Sequence, residues 1–339
     1  MKEVAIEFAV AGLGVWLFSF VVEFLRPRPK TPTRLRWSDT IPINYIAIGG
    51  TKLRYIKVGS GPTIVLLHTL RTQLDLFEGI IPELSKTHTV YALDYPGHGY
   101  SDIPRARYDA PYFVTAVEGF LEAQDLRDVT LAGVSIGGVI PLVIAARRNA
   151  RVARIVSVNP YDYAKGRGLA RSSLFGRMTT YASLVPLLGE IWMRLRSFPV
   201  TRSILRGGVA RPSSISPALM RELDQVGNRP RHYRAFIALL REGKSWEAAR
   251  EQYGRVEVPV LLVYGDRDWA RPAERERTRA LIPNVEMKTI EGGGHFLPLD
   301  RPQELLDLLV GFADAAAARS TATGTTQGPI QMTMDLGAL

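Results

Sequence analysis

The stretch Val129–Ala146, VTLAGVSIGGVIPLVIAA, constrains this chain more than any other. Apolar, partly β-branched residues up to Ala132 predict a buried parallel strand, and the periodic apolar run after Ile136 predicts a helix. GVSIG is then the tight turn between them, with Ser135 at its apex. Such a turn holds its serine in a strained backbone conformation, and Gly133 and Gly137 leave room that side chains would fill. The helix that follows points free N–H groups and its positive dipole end at any negative charge developing beside Ser135.

G-x-S-x-G alone also serves glycine turns in nucleotide-binding folds, so the downstream residues decide its meaning. VPVLLVYGDRDW, Val258 to Trp269, is a second buried strand running into a loop that carries Asp266 and Asp268. VEMKTI is a further strand, and EGGGHF places His295 on a glycine-rich loop. The order serine, acid, histidine resembles the α/β-hydrolase family over roughly Tyr45 to Ala315, in its serine hydrolase, esterase or monoacylglycerol-lipase-like branch. The resemblance implies an α/β fold with a mostly parallel central sheet, a helical cap insertion, and a triad of Ser135, His295 and Asp268. Some relatives in that family place the acid one strand earlier, which makes Asp162 the rival; the G-x-x-D pattern from Gly265 favours Asp268.

Two other segments carry the resemblance. TIVLLH ends at His68, where the family usually continues with glycine; here Thr69 follows, then Leu70 and Arg71. The resemblance implies that the Leu70 and Ile136 N–H groups form the oxyanion hole. Arg71 is expected in a surface ion pair, with an anionic substrate group as the sharper alternative. DYPGHGYS, Asp94 to Ser101, matches a turn that shapes one wall of the site without supplying a triad member, so Asp94 and His98 are read as structural.

Residues 1–25 read as a membrane anchor. Phe8 to Val22 carry no charge, and about 22 helical residues from Val4 rise roughly 33 Å, enough to cross a bilayer core. A cleaved signal peptide competes, although the stretch before the apolar run is short and contains Glu3, with no small-x-small site after Val22. Arg26, Arg28, Lys30, Arg34 and Arg36 follow the segment, so the positive-inside rule places the catalytic part in the cytoplasm. Residues 26–38, basic and proline-rich, read as an extended linker.

The core is then expected over 39–160 and 256–316, interrupted by a helical cap over 161–255, with a structureless tail at 317–339. The cap segment holds 17 Lys/Arg against 7 Asp/Glu, which accounts for the whole formal net charge of +10. That excess fits either a solvated helical cap or one facing an anionic membrane surface. The apolar run Leu184–Phe198 packs over the site or dips into lipid. With no cysteine in the chain, thiolate catalysis and cysteine-ligated zinc are excluded; no metal motif and no cofactor motif are present, and nothing matches a nucleic-acid-binding pattern.

These features predict a membrane-associated serine hydrolase that cleaves a lipophilic carboxylic ester, with a small-molecule substrate and membrane lipid as its partners. The same scaffold leaves open carbon–carbon bond hydrolysis, acyl transfer, cofactor-independent peroxidation, or a non-catalytic ligand receptor. Dehalogenases and epoxide hydrolases in the family need a carboxylate where this chain has Ser135.

Overall fold

A computed structural model describes residues 1–324 of the chain, with side chains through residue 314. Helix α1, Lys2–Leu25, stands apart from the core, and Ser19 is its one buried residue. The core is an eight-stranded sheet: β1 Ile43–Ile48, β2 Thr51–Val58, β3 Thr63–Leu67, β4 Thr89–Leu93, β5 Val129–Val134, β6 Val152–Val158, β7 Val260–Gly265 and β8 Val285–Ile290. Their spatial order is β1-β2-β4-β3-β5-β6-β7-β8. Only β1/β2 and β2/β4 pair antiparallel. The central strands β3, β5 and β7 are almost wholly buried, as expected of parallel strands covered on both faces, and their β-branched and leucine runs supply that surface.

Crossover helices complete the layers: the short α2 (Ile81–Leu84), α3 (Ala110–Ala123) and α4 (Ile136–Ala146). Helix α4 is buried on every side, which explains why it reads as apolar all round. Between β6 and β7 the chain builds a wholly helical cap from α5 (Leu174–Leu184), α6 (Leu188–Arg194), α7 (Phe198–Arg206), α8 (Pro217–Val226), α9 (His232–Arg241) and α10 (Gly243–Ala248), with short 3-10 turns at its ends. Helices α11 (Pro272–Leu281), α12 (Leu297–Asp300) and α13 (Pro302–Gly324) follow. Helix α13 runs past the point where the structureless tail was expected to begin, so 317–324 are helical, and the rest of that tail, 325–339, lies outside the described residues.

The 26–38 segment contains neither helix nor strand, but it is not a free tether. Leu35 is buried, the Trp37 indole donates to Asp75 at 2.7 Å, and Arg36 pairs with Glu78 and Glu222. This strap ends on a buried ionic network. Arg54, on β2, donates to Asp94 at 2.6 Å and to Asp75 at 2.8 Å, and all three side chains are almost completely excluded from solvent. Asp94 also accepts the Leu74 and Tyr100 N–H groups at 2.8 Å each. The loops after β3 and β4, both at the carboxyl edge of the sheet, are thereby fixed to one guanidinium.

Removing that guanidinium strands two buried carboxylates. Arg54→Met is expected to lower stability by about 3–5 kcal/mol, whereas Arg34→Ala, which breaks only the exposed pair with Asp39, stays within about 1 kcal/mol. Denaturant titration of both variants in detergent micelles measures the difference; equal shifts would contradict this account of the network.

Candidate active site

In parallel sheets of this kind ligands meet the carboxyl ends of the strands, and the sequence-selected residues gather there. Ser135 follows β5 directly and has φ 63° and ψ −117°, a conformation an L-residue holds only under constraint. Its N–H donates to Val158 O at 2.9 Å. The constraint is visible in the flanking glycines: a Cβ on Gly133 would strike Gly137 O, and one on Gly137 would strike Leu67 O. Neither position has room for a methyl group.

His295, on the loop after β8, brings its Nε2 to 2.9 Å from Ser135 Oγ and its Nδ1 to 2.5 Å from Asp268 Oδ1. Asp268, on the loop after β7, also accepts the Ala270 N–H at 2.9 Å. All three side chains are sealed from solvent. The rival acid lies elsewhere: Asp162 accepts the Thr278 hydroxyl at 2.9 Å on α11, and burial pushes its carboxyl up to about 7. Asp266 accepts the Gly293 N–H at 3.1 Å, a turn contact between the two loops.

Three braces around His295 were not singled out from sequence. Asn159, at the end of β6, donates through Nδ2 to Gly294 O at 3.0 Å and His295 O at 3.1 Å, while its Oδ1 accepts the Gly265 N–H at 3.0 Å. One side chain thus ties the histidine loop to the strand that delivers the acid. Asp300 accepts the Gly294 N–H at 2.9 Å and the Ala210 N–H at 2.7 Å from the cap. Trp269 stacks flat on the His295 ring, centroids 3.8 Å apart, and its indole N–H donates to Gly207 O at 2.8 Å. Of the three, only Trp269 adjoins a triad residue in the sequence; Asn159 and Asp300 carry no local signal of their role.

The loop after β3 carries Leu70, which is buried. The N–H groups of Leu70 and Ile136 donate to no backbone carbonyl or side chain among the described residues. His68 shapes this loop: its Nδ1 lies 2.7 Å from Thr69 O, and its Nε2 accepts the Tyr95 N–H at 3.3 Å, which fixes the Nδ1–H tautomer. Burial pushes the His68 imidazole down to about 3, and His98 likewise, so both are neutral spacers. Asp94 belongs to the Arg54 network and does not take part in the triad contacts. Thr69, which stands where glycine was expected, is buried with its hydroxyl unpartnered.

Arg71 departs from expectation. It forms no surface ion pair among the described residues: its backbone is left-handed, φ 61°, and its guanidinium reaches under the cap to Leu223 O at 3.4 Å. There it walls an apolar cavity whose other sides, including Trp192, Met193, Ile204, Leu205 and Phe236, all belong to the cap. Among the described residues no group of acids, histidines or cysteines is arranged to hold a metal ion.

The chain resembles proteins of known sequence along most of its length. An uncharacterised protein of Mycobacterium tuberculosis is 26% identical over 305 residues, covering 85% of each chain. The 2-hydroxy-6-oxo-2,4-heptadienoate hydrolase of Pseudomonas putida is 25% identical over 280 residues, covering 80% of this chain and 95% of that one. Among solved structures, Cfl2 of Burkholderia cenocepacia superposes with a TM-score of 0.72 at 25% identity, covering 84% of this chain and 99% of that one. A family model described as the alpha/beta hydrolase fold matches residues 62–302, a span that takes in both the Ser135 turn and the His295 loop, and the chain belongs to that family.

Proposed function

We propose that this chain is a membrane-associated serine hydrolase of lipophilic carboxylic esters. The observation that carries the reading is the continuous relay from Asp268 through His295 to Ser135, beside two N–H groups with no other acceptor. In this reading Nε2 of His295 takes the Oγ proton as Ser135 attacks the ester carbonyl. Asp268 holds the Nδ1–H tautomer and stabilises the imidazolium without itself being protonated. Leu70 and Ile136 N–H groups receive the oxyanion, each contributing about 3 kcal/mol to the barrier reduction. The imidazolium then protonates the departing alkoxide, and water enters by the same steps in reverse order to release the acid.

A second reading rests on the relative named as a heptadienoate hydrolase: the same relay would cleave a carbon–carbon bond next to a ketone. Turnover of 2-hydroxy-6-oxo-2,4-heptadienoate without turnover of any p-nitrophenyl ester would select it.

Membrane attachment is proposed from α1, whose mean hydropathy reaches 2.1 over its best window and whose sides are exposed. Its last turns are docked on the cap. Arg194 donates to Ser19 Oγ at 3.3 Å and stacks on the Phe20 ring at 3.7 Å, Arg196 pairs with Glu23 at 2.7 Å, and Arg26 donates to Arg194 O at 2.7 Å. A leader destined for removal has no use for such contacts, so they favour a retained anchor. The cap residues Val185, Leu187 and Leu188, exposed at the start of the helix on which α1 packs, would then lie near the membrane surface.

Three outcomes follow. Ser135→Ala should reduce p-nitrophenyl ester turnover by about 10⁴-fold or more with the fold intact; undiminished turnover rejects the assignment. Asp268→Asn should cost about 10⁴-fold in kcat through the wrong histidine tautomer, against a small effect of Asp162→Asn; the reverse order would move the acid to Asp162. Deleting residues 1–30 should give a detergent-independent protein with a lower melting temperature, because the anchor and its contacts to Arg194 and Arg196 go together. If the truncated protein still sediments with membranes, the cap itself binds lipid.

A further inference from the structure

Arg71 is the one wall of the cap cavity that comes from the core, and it directly follows Leu70. Its left-handed backbone, φ 61°, is unfavourable for a residue with a side chain, and that conformation carries the guanidinium under the cap. Once there it is poorly satisfied. Of its five N–H donors the only hydrogen bond among the described residues is the 3.4 Å contact to Leu223 O, and Phe236 presents its ring 5.9 Å away. The guanidinium lies so close to Gly227 that a Cβ there would overlap it.

The charges around it do not neutralise it. Asp224 attracts it from beyond ion-pairing distance, while Arg196 and Arg26 repel it, and the neighbouring His232 and His98 are held neutral by burial. Burial and the two arginines push its guanidinium down to about 10, so it remains a cation at neutral pH. Arg196, on the same cavity, is engaged through both terminal nitrogens by Glu23, Met193 O and Gly227 O. Among the described residues Arg71 is therefore the cavity's cation without a paired carboxylate and with most of its donors unused, facing walls that are otherwise mostly apolar. An enclosed cation without a counter-charge is unfavourable, and a carboxylate accepts two parallel guanidinium N–H bonds.

We propose that Arg71 sets substrate specificity: its guanidinium, at the wall of a small cap cavity of about 30 Å³ formed with Trp192, Met193, Ile204, Leu205 and Phe236, receives a carboxylate of the substrate. This deepens the hydrolase reading and rests on it only for the reaction. Arg71 directly follows Leu70, so the anion site and the Leu70 N–H belong to one loop, and the substrate is an ester that also carries an anionic group. A single guanidinium matches the one charge of a carboxylate better than the two of a phosphate monoester.

The test uses full-length protein in nanodiscs. With Ser135→Ala, calorimetric titration should show decanoate binding at least about 10-fold more tightly than decanamide. Adding Arg71→Met should abolish that preference, and Arg71→Lys should restore part of it. Arg71→Gln repeats the measurement should the methionine variant fail to fold. With Ser135 present, the ratio of kcat/KM for p-nitrophenyl hemisuccinate over p-nitrophenyl butyrate should fall at least about 10-fold in Arg71→Met, through KM rather than kcat. Equal binding of decanoate and decanamide, or a preference that survives loss of Arg71, overturns the proposal. Tighter binding of decyl phosphate than decanoate overturns the carboxylate assignment. A decanoate preference that depends on Arg71, in a protein that cleaves neither ester, sustains the anion site and rejects the hydrolase reading instead.

Discussion

A charge buried at the carboxyl edge of the sheet organises this molecule. Arg54 is out of water on β2, and the two carboxylates that make its burial tolerable arrive from the loops after β3 and β4. Both loops face the active site. The first presents Leu70 and Arg71; the second lays Tyr95 and His98 against His68, with ring centroids 4.4 and 5.5 Å from it. An ion triad of this kind gains little over a well-packed apolar core, but it is intolerant of alternatives, because any other loop arrangement leaves a buried charge unpaired. Its value here is geometric: it fixes the loop that, a few residues earlier, carries Arg71 with its left-handed backbone.

The opposite side of the site is held by neutral hydrogen bonds. Asn159 uses both ends of its amide to join the histidine loop to β7, and Asp300 joins the same loop to the cap through the Ala210 N–H. Trp269 adds a ring stacked on His295 and a bond to the cap at Gly207. The imidazole is thus pinned by its loop, its face and its Nδ1 partner, leaving Nε2 aimed at Ser135 Oγ. In the proposed mechanism, preorganisation of this degree removes the rotational search that would otherwise precede proton transfer.

Much of this was legible in the sequence because it rests on local pattern. Strands β3 to β7 are short β-branched or leucine runs bounded by turn residues, and the glycines around Ser135 are demanded by the backbone approach the turn creates. The order Ser135, Asp268, His295 needs no distance information to be read. The Arg54 triad was not legible, since its partners lie 21 and 40 residues away and nothing in strand alternation marks an arginine as buried. Asn159 looks like any polar residue ending a strand. The direction of Arg71 depends on a positive φ that its residue type disfavours, so a surface role was the natural expectation. The docking of α1 was hidden for a different reason: hydropathy reports that a helix is apolar, not that Ser19, Glu23 and Arg26 find partners on a cap nearly 170 residues on.

The positive charge of the cap also acquires a structural cause. Its short helices end in carbonyls that lack intrahelical donors, and arginines from other elements bond to several of them. Arg196 reaches Met193 O in the last turn of α6 and Gly227 O just past α8, Arg241 reaches Ser183 O in the last turn of α5, and Arg26 reaches Arg194 O at the end of α6. Elsewhere Arg171 donates to Trp269 O, and Arg229 to Ser101 O, joining the cap to the core. A guanidinium on a carbonyl satisfies a backbone acceptor and the negative end of the helix dipole together, and three of these arginines also pair with acids, Arg171 with Glu274, Arg196 with Glu23 and Arg241 with Glu190. Two of those acids, Glu23 and Glu274, come from outside the cap, so part of the cap's positive excess is met by carboxylates of α1 and α11. Arg71 extends the same scheme from the core, bonding Leu223 O in the last turn of α8, and differs from the others in having most of its donors left over among the described residues.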